Sequence, residues 1–69
     1  MTVNEIGRYI RQERKRQGVT QLELSQAADV GRRFVVEIEN GKESAHIGKL
    51  IKVLDVLGVE LQLLESKGF

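Results

Sequence analysis

Four stretches of the chain place apolar residues at the three- and four-residue spacing that is typical of amphipathic helices. The first stretch begins directly after Thr2, which forms a capping box with Glu5 and so satisfies amides that a helix start leaves free. Ile6 and Ile10 lie one turn apart and face inward. Gly18 stands just past the last helical residue, where a left-handed cap is common. The pattern predicts a first helix between these two ends.

Thr20 and Glu23 form a second capping box and open a shorter helix. Leu24 and Ala28 lie one turn apart and give this helix its inward face. The connection that follows, residues 29–31, is tight and contains one glycine. We expect the chain to turn there and to begin a new helix at once.

The third helical pattern starts with the pair Arg32 and Arg33. It places Val35 and Ile38 on one side and ends before Gly41, which can adopt the left-handed cap conformation. Two short helices joined by about four residues, the second of which begins with an arginine pair, predict a helix-turn-helix.

A fourth helix is predicted from about His46 to Leu57, with Gly58 closing it. Its helically spaced apolar positions are Ile47, Leu50, Ile51, Leu54 and Leu57. Val53 and Val56 widen the apolar arc beyond what one neighbouring helix would cover. They therefore predict a second buried face, directed toward a partner chain.

The end of the chain changes period, because Val59, Leu61 and Leu63 alternate with polar residues as in a half-buried strand. A lone strand leaves its amides and carbonyls without partners, so we expect it to pair antiparallel with a second copy across a two-fold axis. The alternative is an irregular coil that lies on the body of the protein. The predicted organisation is a four-helix domain over residues 1–58 and a dimerisation tail over residues 59–69, with a frayed end after Leu64.

Composition excludes several classes of function. The chain has 69 residues, a formal net charge of +1, no cysteine and one histidine, which leaves neither disulfides nor the usual zinc ligands, so we expect no metal and no cofactor. No nucleophile motif or glycine-rich phosphate loop is present, so an enzyme is not expected. The absence of an apolar run of about 20 residues predicts no contact with a membrane, and we expect the protein to stay in the cytoplasm. A core of this size is small, which favours a homodimer.

The basic residues are clustered although the net charge is small. One cluster falls in the first helical stretch and consists of Arg8, Arg11, Arg14, Lys15 and Arg16. The pair Arg32 and Arg33 forms the second cluster. Such a run is either a solvated helix face or a surface for nucleic acid, and its sequence alone leaves both interpretations open.

The stretch from Thr20 to Lys42 resembles the Xre/Cro family of helix-turn-helix regulators, which share a lambda-repressor-like fold. The resemblance rests on Thr20-Gln21, on Glu23-Leu24 and on the sequence Glu-Asn-Gly-Lys at 39–42, all at the family's spacing. Within the family the chain is similar to HipB-like antitoxins, because Gly-Arg-Arg-Phe at 31–34 opens the third helix and a predicted strand replaces a fifth helix. Asp29 departs from the family pattern, since it occupies a turn position where glycine is usual.

In a helix-turn-helix the second helix enters the major groove, and side chains near its N-terminus reach the base edges. The candidates for base reading are Arg32, Arg33, Val36 and Glu37. Arginine can also contact phosphates only, and Glu37 can either accept from cytosine N4 or hold an arginine in place. Phe34 can touch a thymine methyl group, but we expect it to pack against the fourth helix or the tail.

The resemblance implies further roles at matching positions. Gln21, Asn40 and Lys42 correspond to positions that contact phosphates in the family. Arg14 and Glu39 correspond to a partly buried ion pair that fixes the angle between the first and third helices.

Together these observations predict a sequence-specific DNA-binding regulator, a repressor that reads a palindromic operator as a homodimer. The resemblance also implies a possible toxin partner, encoded by a neighbouring gene. Two alternatives remain at this point: a solitary phage-type repressor, and an interaction module with the same fold that binds a toxin or another protein.

Overall fold

The computed structural model describes residues 1–64 of the chain, and these residues fold into four α-helices. The helices are α1 (Val3–Arg16), α2 (Gln21–Ala28), α3 (Arg32–Glu39) and α4 (Ile47–Leu57). The predicted all-helical class is confirmed, and every helix begins within a residue of its predicted start. No strand occurs in residues 1–64.

Local hydrogen bonds explain the helix starts. Thr20 Oγ1 accepts from the Glu23 amide at 3.0 Å, and the Glu23 carboxylate accepts from the Thr20 amide at 3.0 Å, so the predicted capping box is complete. At α1 the box is only half formed. Thr2 Oγ1 accepts from the Glu5 amide at 3.1 Å, but the Glu5 carboxylate accepts from the Thr2 hydroxyl instead of the backbone amide. Both helices nevertheless start where the capping threonine directs them.

The core lies where all four helices meet. It consists of Ile10, Leu24, Ala28, Val35, Ile38, Val53, Leu54 and Leu57. The helix α4 packs against α2 and α1, while α3 packs against α1 and α2, so each short helix of the helix-turn-helix has two neighbours. Burial against these neighbours provides the stability that helices of eight residues lack in isolation.

The orientation of α4 corrects one part of the prediction. The sequence pattern predicts Val53 at a dimer interface, but its side chain is completely buried in the core of this chain and has no surface left for a partner. Ile47 and Ile51, which belong to the predicted apolar stripe, are 64% and 43% exposed. Val56, also assigned to the interface, is 40% exposed on the other edge of the helix. The apolar arc is as wide as predicted, but a different part of it faces inward.

The tail begins at the left-handed cap formed by Gly58, where φ is +73°. Val59 donates its amide to the Leu54 carbonyl at 2.9 Å and packs against the core. Beyond it, residues 60–64 are exposed and have neither helix nor strand structure in the single chain. The predicted frayed end, residues 65–69, lies outside the described residues. Within residues 1–64, no helix is both long and apolar enough to cross a lipid bilayer.

Candidate nucleic-acid interface

The third helix presents a charged face, and its angle to α1 is fixed by buried side chains. Val35, Ile38 and Glu39 point into the protein, whereas Arg32 and Arg33 at the helix start are exposed. Gly31 precedes the helix as its N-cap without a side-chain hydrogen bond, and its carbonyl accepts from the Phe34 amide at 3.0 Å. Val36 and Glu37 are half-buried, one turn after the arginine pair.

The turn between α2 and α3 depends on Asp29. This residue is left-handed, with φ of 55° and ψ of 47°, and it is the one non-glycine residue with positive φ in the described chain, residues 1–64. The left-handed residue lets the next amide, that of Val30, donate to the Ser25 carbonyl at 3.0 Å and end α2. The family resemblance implies a left-handed residue at this turn position, and aspartate tolerates that conformation better than most residues.

Arg14 and Glu39 form a buried ion pair between α1 and the end of α3. Arg14 Nε donates to Glu39 Oε2 at 2.7 Å and Nη2 donates to Glu39 Oε1 at 3.0 Å, while Nη1 reaches the Val19 carbonyl at 3.0 Å. The two side chains are only 10% and 2% exposed. The hydrogen bond that Arg14 donates to the Glu39 carboxylate raises the pKa of the Arg14 guanidinium, so this group stays charged. Arg14 is thus the buried member of the basic cluster in α1.

Gln21 joins this network at the start of α2. Its Nε2 donates to Glu39 Oε1 at 3.2 Å, so part of its amide group is already engaged inside the protein. One carboxylate therefore ties together α1, α2 and α3, and the side chain predicted to contact phosphate also helps to hold the helices in place. Gln21 as a whole is half-buried.

Glu37 lies between two cations on the outer face. Arg33 Nε donates to Glu37 Oε1 at 3.1 Å, and Lys42 Nζ donates to Glu37 Oε2 at 2.9 Å. The Lys42 hydrogen bond, together with that from Arg33, lowers the pKa of the Glu37 carboxyl although partial burial opposes this shift. Of the two roles considered for Glu37, holding an arginine in place is the one that the structure of the single chain contains.

The remaining candidates lie at the ends of helices. Asn40 is exposed as the C-cap of α3, and its amide donates to the Val36 carbonyl at 3.1 Å. Lys42 lies two residues further along the chain and is also exposed. Phe34 is half-buried and packs against the core, and Lys49 Nζ of α4 lies 5.9 Å from its ring centroid. The expected packing of Phe34 next to α4 is therefore present.

The close approach of α1 to α3 depends on Gly7, which the sequence reasoning missed. A Cβ atom at this position would lie 2.1 Å from the Ile38 carbonyl oxygen, a distance that no real contact allows. Gly7 is buried inside α1, where a glycine normally weakens a helix. An unexplained glycine inside an otherwise well-formed helix was the available signal for a tight contact.

Comparisons with known proteins agree with this architecture. A family described as helix-turn-helix matches residues 10–64. An uncharacterized HTH-type transcriptional regulator, y4mF of Sinorhizobium fredii (strain NBRC 101917 / NGR234), is 44% identical over 63 residues, which are 91% of this chain and 83% of the relative.

The fold is also that of HipB in two solved structures. A HipA-HipB-O2-O3 complex matches with a TM-score of 0.88, and a HipB-O4 20mer complex with a TM-score of 0.87. In both, the identity is 19%, and the match covers 97% of this chain and 94% of the solved chain. The family model that matches residues 10–64 and the relative that is 44% identical over 91% of this chain together place this protein in the Xre-type helix-turn-helix family of transcriptional regulators.

Proposed function

We propose that this regulator is a sequence-specific DNA-binding repressor whose third helix enters the major groove. The observation that carries the proposal is the exposed arginine pair at the N-terminal end of α3, on a helix whose angle is fixed by the buried Arg14–Glu39 pair. Arginine can bind the two acceptors of guanine at once, and helix N-terminal side chains are the ones that reach base edges.

The proposed roles follow from position on this surface. The residues that read bases are Arg32, Arg33, Val36 and Glu37, and those that contact phosphates are Gln21, Asn40 and Lys42. Asn40 and Lys42 extend the surface beyond the end of α3, and Gln21 stands in the first turn of α2, where helix amides and side chains can approach the backbone of a duplex. Exposed basic residues of α1, such as Arg8 and Arg11, add longer-range attraction.

The first experiment selects preferred duplexes from a random pool with the full-length protein and measures their affinity by fluorescence anisotropy. Arg32→Ala combined with Arg33→Ala should weaken binding to the selected duplex by at least about 10-fold, since one good bidentate contact contributes about 1–3 kcal/mol. The control, Lys49→Ala combined with Lys52→Ala, removes the same charge from exposed positions of α4 and should have a much smaller effect. Unchanged affinity of the arginine double variant would refute the base-reading role.

We further propose that two copies act together and that the tail joins them. Support comes from a groove of about 420 Å³ between α4 and the tail, beside which Ile47, Ile51, Leu61 and Leu63 are all exposed. Exposed apolar side chains that cluster in this way mark interaction surfaces. A second tail laid antiparallel along residues 59–63 would cover them, and it would also satisfy the amides and carbonyls of both tails. Val56 lies on the other edge of α4 and is assigned a secondary contact.

The homodimer predicts a palindromic operator with half-sites about 34 Å apart or a multiple of that distance. Sedimentation equilibrium should give twice the chain mass, and a protein ending at Gly58 should shift toward the monomer. If the shortened protein keeps the doubled mass, another surface holds the dimer.

We also propose a protein partner, because the HipB chains that share this fold include one solved together with HipA. The partner would be a toxin encoded beside this regulator, whose gene the repressor would control. Co-expression of this chain with the product of the adjacent gene, followed by size-exclusion chromatography, tests the idea. Elution of the two as separate species would favour a solitary repressor.

A further inference from the structure

The arrangement of charge on the outer face of α3 carries one more inference, which concerns Glu37. Both oxygens of its carboxylate are occupied, one by Arg33 and one by Lys42. Arg33 precedes it by one helical turn, and Lys42 follows after the end of the helix. The side chains are 91% exposed for Arg33, 49% for Lys42 and 29% for Glu37. The cluster therefore lies at the surface, and a duplex that binds against this face of α3 comes close to all three side chains.

The carboxylate reduces the attraction of this face for DNA. Arg33, Glu37 and Lys42 together carry one net positive charge, where the two cations alone would carry two. Non-specific binding depends on how many phosphates the protein neutralises with its cations. A carboxylate that engages two of these cations therefore weakens binding to every sequence. The lowered pKa of Glu37, caused first by the Lys42 hydrogen bond, keeps the carboxylate charged at neutral pH.

Only some sequences can compensate for this negative charge. A cytosine amino group in the major groove is a donor that a carboxylate can accept, and such a contact discriminates between bases. When Glu37 accepts from a base, Arg33 and Lys42 are released toward guanine acceptors and phosphates. A sequence without the amino group leaves the carboxylate beside base acceptors and the backbone, where it is repelled.

Building on the proposed function, we propose that Glu37 is a specificity-determining residue that acts by weakening the binding of non-cognate DNA. In the unbound protein it neutralises Arg33 and Lys42. In the cognate complex Glu37 gives up its hydrogen bonds with Arg33 and Lys42 and accepts one from a base amino group instead. The overall charge of +1 fits this role, because the protein has little spare positive charge with which to bind every sequence.

The test measures anisotropy for the full-length protein with two labelled duplexes, the selected one and a shuffled duplex of equal composition, over a range of salt. Glu37→Gln keeps the shape and removes the charge. Binding to the shuffled duplex should strengthen several-fold, with a salt slope steeper by about 0.9 per protomer, which corresponds to one more phosphate neutralised. Binding to the selected duplex should stay the same or weaken, so that the ratio of the two affinities falls at least about fivefold.

Two controls separate this effect from general charge and from misfolding. Glu43→Gln removes one negative charge from an exposed position in the loop before α4 and should leave the affinity ratio unchanged. Glu37→Asp keeps the charge and should bind the shuffled duplex within about twofold of the wild type. Thermal denaturation followed by circular dichroism establishes that each variant is folded at the assay temperature.

The outcomes are distinct. A loss of affinity for both duplexes in Glu37→Gln would mean that Glu37 only positions Arg33 and Lys42, and an equal gain for both would mean a general charge effect. Either result overturns the inference while the proposed function stands. A wild-type protein that shows no preference for the selected duplex overturns the proposed function itself, and this is visible before any variant is made.

Discussion

Loss of either partner of the Arg14–Glu39 pair should unfold most of the protein. The carboxylate of Glu39 accepts two hydrogen bonds from Arg14 and one from Gln21, and its side chain is 2% exposed. Glu39→Gln keeps the shape but leaves the Arg14 guanidinium charged and without its counter-ion. Arg14→Met leaves the carboxylate with Gln21 alone and removes the donor to the Val19 carbonyl.

The magnitude follows from burial. Removing one partner of a buried pair costs about 3–5 kcal/mol, because the other charge remains desolvated. A single core in a chain of this length rarely provides more than roughly 3–5 kcal/mol of unfolding free energy. Each single variant is therefore expected to be largely unfolded or barely folded at 25 °C. The double variant Arg14→Met with Glu39→Leu leaves no buried charge and should be more stable than either single variant, so the coupling between the two positions should be roughly 3 kcal/mol or more.

The assay is urea denaturation followed by circular dichroism at a fixed protein concentration, since dimer formation would otherwise shift the midpoint. Glu13→Gln is the matched control. It removes a carboxylate from the exposed ion pair with Arg16 and should move the midpoint far less. If Glu39→Gln costs under about 1 kcal/mol and the double variant is simply additive, the pair does not set the angle between α1 and α3, and the reasoning is refuted.

Three further predictions concern stability. Gly7→Ala should destabilise the protein by about 1–3 kcal/mol in the same urea assay, because the new Cβ would overlap the Ile38 carbonyl. Gly48→Ala is the control. Its new Cβ would contact only the His46 side chain, so this substitution should be neutral or stabilising. Equal effects of the two substitutions would contradict the close helix contact. Asp29→Gly should stabilise by roughly 0.5 kcal/mol through relief of the left-handed conformation, as measured by the thermal midpoint, and a lower midpoint would show that the aspartate side chain matters more than its backbone. Stability should also fall in acid. The Glu13 pKa is lowered from 4.5 to about 2 by hydrogen bonds from Arg16 and then Gln17, so its contribution is present above the unfolded value and is lost as pH falls toward 2. Glu23 and Glu37 also have lowered pKa values and act in the same direction. Urea midpoints from pH 6 to pH 2 should decline, less so for Glu13→Gln and in high salt, and a flat profile would contradict the assignment.

Some features of the candidate site follow from the local sequence pattern, and others depend on the folded structure. Arg32 and Arg33 were identified as candidates from their place at the start of a short helix, and their exposure requires only that α3 be amphipathic. Lys42 was identified as a candidate phosphate contact, but its hydrogen bond to Glu37 could not be read from spacing. The two residues are five positions apart and come together only because the chain turns after Asn40. The Arg14–Glu39 pair spans 25 positions and was expected only through the family resemblance.

The sequence by itself determined the four helices and their ends, whereas the turn at Asp29 was indicated by the family resemblance. The helices and their ends depend on interactions within three or four residues, such as the Thr20–Glu23 capping box and the cap at Gly58, and such interactions are written directly in the order of residues. The helical class and the helix-turn-helix follow from them.

Only the tertiary structure decided which part of the wide apolar arc of α4 is buried. Spacing shows that Ile47, Ile51, Val53 and Val56 all lie on or beside an apolar face, but it does not show where α1 and α2 stand around that face. Their positions bury Val53 completely and leave Ile47 and Ile51 exposed next to the tail. The same holds for Gly7, whose missing side chain has meaning only because α3 crosses α1 at that point. Contacts between helices depend on residues that are far apart in the chain, so a local pattern cannot predict these contacts.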